Sequence, residues 1–264
     1  MHWPDLYLNE GDTVTNINKE TIIREFASLN RKAFFGFRFH HIKNNLVELN
    51  NTIELQKKFD WKNLPILDDP ELYVCISLCD VNERRIRDAE SIGFVMRNID
   101  PRIAVEIGTS TGHTTALMAV NAPDSHIFTV NISPEEINSG EGGVFTTIAL
   151  ERERIGSYYR EKNIKNITQI LANTANWEPD IGNIDVAFID GCHDSDFVYN
   201  DTRKILRHMK PGSYILWHDF NVKLAKKYNW IHSVCTGIEW LYQEKIIDGP
   251  IFQIRDSWVG IYRV

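Results

Sequence analysis

Arg102-Ile103-Ala104-Val105-Glu106-Ile107-Gly108-Thr109-Ser110-Thr111-Gly112-His113-Thr114-Thr115 is the stretch that decides the fold. A short run rich in β-branched residues carries an acid near its end. A glycine follows, then three small polar residues, a second glycine and a helix-forming segment. That order describes a strand turning tightly into a helix, which leaves free backbone N–H groups at the helix start. Gly108 and Gly112 supply the backbone freedom such a turn needs and keep Cβ atoms out of the space above it. The spacing Gly-x-x-x-Gly is neither the Gly-x-Gly-x-x-Gly of a dinucleotide site nor the Gly-x-x-x-x-Gly-Lys of a P-loop.

Outward from this turn, β-branched runs alternate with helical patterns to the end of the chain. Strands are expected at Ile103–Ile107, Ile127–Asn131, Thr168–Leu171, Asp185–Ile189 and Tyr214–Trp217. Helices are expected to begin near Gly112, Ala149 and Asp194. This βαβα order predicts a doubly wound, mostly parallel sheet with helices on both faces. Pro250–Arg255 and Trp258–Arg263, joined at Asp256-Ser257, read as a closing antiparallel hairpin. Before residue 100 the pattern changes. Asn82–Ile99 reads as an amphipathic helix, with Ile86, Ala89, Ile92 and Met96 on one face, and Asp100-Pro101 ends it. The expected division is a mainly helical extension over 1–99 and an α/β domain over 100–264.

The chain has 264 residues and a formal net charge of -7, with no basic run to track phosphates, which argues against nucleic acid. No apolar stretch reaches the length of a membrane span. The N-terminus lacks the basic and apolar regions of a signal peptide, so a cytoplasmic location is expected. Cys75, Cys79, Cys192 and Cys235 form no Cys-x-x-Cys pair and read as small buried residues. Phe34-Phe35-Gly36-Phe37-Arg38-Phe39-His40-His41 reads first as a helix packed on the main domain, and otherwise as a pocket wall or a homo-oligomer contact. The glycine-rich stretch Asn138–Gly143 reads equally as a lid hinge or a surface loop.

A second constellation lies at Asp185–Asp194 and Met209–Phe220. Two strands of buried type each end in an acid, Asp190 and Asp219. Neighbouring strands lie about 4.8 Å apart, so these carboxylates can bracket one small cation. Oxygen donors open to substrate suit Mg²⁺ or Ca²⁺.

The run Val105–Gly112 resembles the first motif of class I S-adenosylmethionine (SAM) dependent methyltransferases. Phe188-Ile189-Asp190-Gly191-x-His193, Asp201, Lys210-Pro211-Gly212 and Trp217-His218-Asp219 together resemble the branch that contains cephalosporin-hydroxylase-like proteins and macrolide-sugar O-methyltransferases. The resemblance covers residues 100–264. It implies a seven-stranded sheet, with SAM lying over Glu106, Gly108, Thr109, Ser110 and Gly112 and with Asp190 beside it. It also implies Asp190 and Asp219 as ligands of Mg²⁺ or Mn²⁺.

Three residues depart from the family pattern. Asn131 stands where an acid usually binds the ribose, and Asn173 where an acid often lies near adenine; both also suit plain loops. His218 stands where relatives carry another acid. It is open to three readings: a metal ligand, a general base, or a strand-end residue bonded to backbone. His193 is a second candidate base, or a residue that fixes the turn. The expected activity is methyl transfer to a hydroxyl of a small molecule such as a sugar, phenol or natural product. A SAM-binding protein without methyl transfer, or another reaction on the same scaffold, is the alternative.

Overall fold

The computed structural model describes residues 39–72, 85–139 and 150–264. In chain order the elements are α1 (His40–Asn45), β1 (Leu46–Leu49), α2 (Thr52–Phe59), α3 (Asp88–Ile99), β2 (Ile103–Ile107), α4 (His113–Asn121) and β3 (His126–Asn131). They continue with α5 (Pro134–Ser139), α6 (Ser157–Glu161), β4 (Ile167–Leu171), β5 (Ile184–Ile189), α7 (Ser195–Leu206), β6 (Met209–Trp217), α8 (Asn229–Gln243), β7 (Ile251–Ile254) and β8 (Gly260–Arg263).

One sheet runs β1-β7-β8-β6-β5-β2-β3-β4. Only the pairings of β8, with β6 and β7, are antiparallel. All others are parallel. The strand order reverses between β2 and β5, which places the switch-point crevice at the carboxyl ends of those two strands.

Alternating side chains feed two cores. On one face Ala104, Ile127, Val186, Phe188 and Leu216 pack under α3, α4 and α6. On the other, Val105, Ile107, Ala187, Ile189, Ile215 and Trp217 pack under α7 and α8. The strands are buried on both faces, as near-continuous apolar runs require.

Among the described residues the sheet has eight strands, where seven were expected. The extra strand, Leu46–Leu49, pairs with β7 in register Leu46↔Ile251 to Leu49↔Ile254. It is a four-residue edge strand with one buried residue, Leu49, so its sequence carries no alternation long enough to read. With α3 it ties residues before 100 into the main body, where Ala89, Ile92, Val95 and Met96 join the first core. The described residues before 100 thus add a strand as well as helices. The long helix α8 was not anticipated, although Ile231, Val234, Ile238 and Leu241 repeat at helical spacing and are all buried.

Of the aromatic cluster, residues 34–38 lie outside the described residues. Phe39 is buried edge-on against His232, with ring centroids 5.1 Å apart. The α1 backbone is held by Glu239 of α8, whose carboxylate accepts from His41 N at 2.9 Å and Ile42 N at 3.0 Å. This matches the reading of a helix packed on the main domain. Cys75, Cys79, Gly140–Gly143 and the helix start expected near Ala149 also lie outside the described residues.

Candidate active site

The two strand-end acids meet as the sequence suggested. Asp190 follows β5 and Asp219 follows β6, and the two strands pair in parallel with Ile189 opposite Trp217. Asp219 takes a left-handed backbone, φ 50°, which turns the chain off the strand end. Its backbone neighbour Phe220 then donates to Trp258 O at 2.9 Å.

Two histidines face these carboxylates. His193 Nε2 lies 2.8 Å from Asp219 Oδ2 and 3.8 Å from Asp190 Oδ1. His218 Nδ1 lies 3.1 Å from Asp190 Oδ1 and 3.6 Å from Asp219 Oδ2. Asp190, His193 and Asp219 each offer one donor atom within 4.8 Å of the others, a set able to hold a metal ion. His218 contributes differently from the expected ligand. Its Nε2 sits 3.2 Å from Asp88 Oδ2, so the ring is anchored from behind with Nδ1 turned toward the acids. Although Nδ1 is buried near two carboxylate oxygens, it makes no well-aligned hydrogen bond to either. Two carboxylates and an imidazole converging in this way can hold a cation.

Asp88, the first residue of α3, was missed in the sequence. It is fully buried. Its Oδ1 accepts from Ser257 Oγ at 2.8 Å and from Trp258 N at 2.7 Å. The only available signal was an acid at the start of an amphipathic helix, which reads as a favourable helix-dipole contact and nothing more.

Electrostatics couple the four groups. Burial alone would raise the two carboxyls, but the imidazolium charges and hydrogen bonds outweigh it. Asp190 is held below the ordinary carboxylate range, and Asp219 well below. Burial opposes charge on the histidines too, yet bonds to Asp190 and Asp219 push His193 up to about 10. The charges of the same acids push His218 well above the usual imidazole value.

The glycine loop abuts this cluster. Gly108 has φ 100°, and a Cβ there would lie 1.9 Å from the Asp190 carbonyl oxygen. Gly112 has φ 91°, and its Cβ would meet the Tyr159 ring at 2.7 Å and Gly156 at 2.9 Å. The positive φ expected of Gly108 is present, and at both glycines the space that a Cβ would take is filled by the protein itself. Backbone bonds from Gly156 N to Ser110 O (2.9 Å) and Tyr158 N to Thr111 O (3.0 Å) lay α6 along the loop.

The other predicted cofactor residues are placed as follows. Glu106 is fully buried below the loop, where it accepts hydrogen bonds from Thr115 Oγ1 and Thr129 Oγ1. Burial raises its carboxyl to about 8. Thr109 is buried and Ser110 is exposed. Asn131 Oδ1 accepts from Ser110 N at 3.1 Å, so this amide shapes the loop. Asn173 Oδ1 accepts from Ala175 N at 3.0 Å in an Asx turn. Both side-chain carbonyls thus accept a bond from local backbone.

Residues 105–220 match a family model described as a methyltransferase domain. Over this stretch the chain is similar to methyltransferase domains. The match begins in β2 and ends one residue beyond Asp219, so it encloses the loop and all four residues of the cluster but not Asp88 behind them. Among solved structures, the O-methyltransferase NovP is similar at 13% identity and TM-score 0.51, over 67% of this chain and 79% of that one. Cofactor-bound Rv0187 from MTB is similar at 14% identity and TM-score 0.51, over 81% and 96%. These likenesses concern the fold, which is that of class I methyltransferases. No curated protein sequence matches the chain. Among the described residues, no helix is long and apolar enough to cross a membrane.

Proposed function

We propose that this protein transfers the methyl group of SAM to a hydroxyl of a small molecule, with a divalent cation, Mg²⁺ or Mn²⁺, held by Asp190, His193 and Asp219. The observation that carries the reading is adjacency. The turn of the methyltransferase domain packs directly on the backbone of Asp190, so a donor on the loop and a hydroxyl at the cluster would be neighbours. Positioning two reactants in this way accounts for much of the rate when the donor is already activated.

Each residue has a role in this reading. Asp190, His193 and Asp219 orient the acceptor oxygen. Asp88 fixes the His218 ring through Nε2, which leaves Nδ1 to take the hydroxyl proton. A bound divalent cation would lower the pKa of that hydroxyl. With such a charge among the same carboxylates, imidazolium is disfavoured and His218 is available as a base. Loop residues Gly108–Gly112 shape the floor beneath SAM, and Asn131 holds Ser110 in place.

The test is production of S-adenosylhomocysteine from SAM across a panel of sugar, phenolic and natural-product hydroxyls, with and without EDTA. Turnover that requires Mn²⁺ or Mg²⁺ and fails in His193→Ala supports the assignment. SAM binding without product on any acceptor favours the pure binder. Full turnover in excess EDTA overturns the cation.

A further inference from the structure

Beneath the glycine loop runs a chain of hydrogen bonds that the reaction scheme does not use. Tyr159 on α6 donates its hydroxyl to Gln169 Oε1 at 2.8 Å. Gln169 Nε2 donates to Thr109 Oγ1 at 2.9 Å. Thr109 Oγ1 lies 2.7 Å from Thr129 Oγ1, and Thr129 Oγ1 donates to Glu106 Oε2 at 2.5 Å.

The heavy-atom positions allow one consistent direction along the chain. The Gln169 amide cannot be flipped, because Nε2 also faces two carbonyls, Thr129 O and Ile170 O, each at 3.1 Å. With the Thr129 hydroxyl donating to Glu106, Thr109 donates to Thr129, and Gln169 Nε2 shares its two protons among Thr109 Oγ1 and the two carbonyls. The chain therefore reads Tyr159 to Gln169 to Thr109 to Thr129 to Glu106, each group accepting from one side and donating to the other. A one-way chain ending on a carboxyl is the arrangement in which hydrogen bonds strengthen one another. It spans α6, β4, the loop, β3 and β2, and its outer end is the ring that covers Gly112 and Gly156.

We infer that Tyr159 and Gln169 are positioning residues for the cofactor loop, holding Thr109, and with it the Gly108–Gly112 backbone, in the shape that binds SAM. The inference rests on the proposed reading that SAM binds there. Tyr159→Phe keeps the ring over Gly112 and removes only the terminal donor. Thr129→Val cuts the same chain near its other end with a side chain of similar shape.

Calorimetry with SAM and amide hydrogen exchange of residues 108–112 separate this inference from the reading beneath it. In Tyr159→Phe, Kd for SAM should weaken about fivefold, the scale of one lost hydrogen bond. KM for SAM should rise more than kcat falls, and the loop amides should exchange about fivefold faster. The double variant with Thr129→Val should be little weaker than the worse single variant, since a cut chain cannot be cut again. Strictly additive losses would mean separate packing contacts and overturn the relay. So would wild-type Kd in Tyr159→Phe. If the wild-type protein fails to bind SAM, the methyl-transfer reading falls. Hydrogen exchange then decides the relay alone: faster exchange in Tyr159→Phe supports it, and unchanged exchange overturns it.

Discussion

At the ends of β5 and β6 the candidate site is built from charged side chains that face one another. At the ends of β2 and β3 it is built from backbone and from the space two glycines leave. The first region holds Asp190, His193, His218 and Asp219 within contact distance, so its properties follow from residue type and charge. The second holds neutral or protonated groups locked in hydrogen bonds, and its only strand acid, Glu106, is buried beneath the loop. A side-chain substitution in the first should change chemistry and spare binding. A backbone substitution in the second should change binding and spread outward.

Gly108→Ala is the strongest test of that contrast. The added Cβ would fall 1.9 Å from the Asp190 carbonyl in a backbone conformation that strains any other residue. Because the obstacle is backbone, it cannot move aside without shifting the cluster. SAM affinity should fall on the order of 100-fold or more, equivalent to about 2.7 kcal/mol. Divalent-cation affinity should fall with it. Calorimetry for both ligands checks this, with circular dichroism to confirm folding. Loss of SAM binding with cation binding intact would break the claim that the two regions share a wall.

Asp190→Ala should act on one region only. The variant keeps the backbone that the loop rests on and removes the carboxylate. Turnover with Mn²⁺ or Mg²⁺ should fall on the order of 10³-fold, about 4 kcal/mol of transition-state stabilisation. SAM affinity should stay within about threefold. If SAM affinity collapses as well, the carboxylate belongs to the cofactor site rather than to a metal site.

The difference between the regions also explains what the sequence revealed. Asp190 and Asp219 were legible because two buried strands ending in acids leave few bland explanations. His193 and His218 were legible as candidates, but their roles were not, since these depend on which ring nitrogen is anchored. The anchor, Asp88, lies 130 residues from His218 in sequence, and no local pattern connects them. In the loop, Gly108 and Gly112 were found by spacing. The turn at Gly108 was readable, but only the packed chain shows that Asp190 and Tyr159 fill the space beside the two glycines. Asn131 and Asn173 sit at the expected strand ends, but their amides bond to the local backbone. The parallel sheet was readable from alternating runs, whereas β1 was too short to announce itself.

Asp88→Asn sharpens the assignment of His218. The amide keeps an acceptor for Ser257 and Trp258 N but presents its NH₂ to His218 Nε2. That contact favours the tautomer with the proton on Nδ1, where a base must accept one. Loss of such a supporting group costs about 10- to 100-fold. The loss should appear in kcat, with SAM affinity retained. Unchanged kcat would leave His218 as a structural residue.

The smallest effect concerns Glu106 and is read in stability rather than rate. Its carboxyl is raised from the ordinary value of 4.5 to about 8, first by burial, with hydrogen bonds from Thr115 and Thr129 opposing the rise. The folded protein therefore keeps Glu106 protonated at pH values where the unfolded chain has already ionised it. The stability from this neutral carboxyl is fully present below about 4.5 and is lost as pH climbs toward about 8. Each unit in that window costs up to about 1.4 kcal/mol before the structure relaxes. Glu106→Gln accepts the same two hydroxyls and cannot ionise. Urea unfolding of this variant should show a flatter pH dependence between 5 and 8 than the wild-type protein, with the difference growing toward the alkaline end. Replacing a cluster acid would tilt the profile the opposite way, because Asp190 and Asp219 are held low and stabilise the folded state as pH rises from the acid side. Parallel profiles for Glu106→Gln and wild-type protein would mean that Glu106 is ionised in the fold, and the contrast between a charged cluster and a neutral loop would fail.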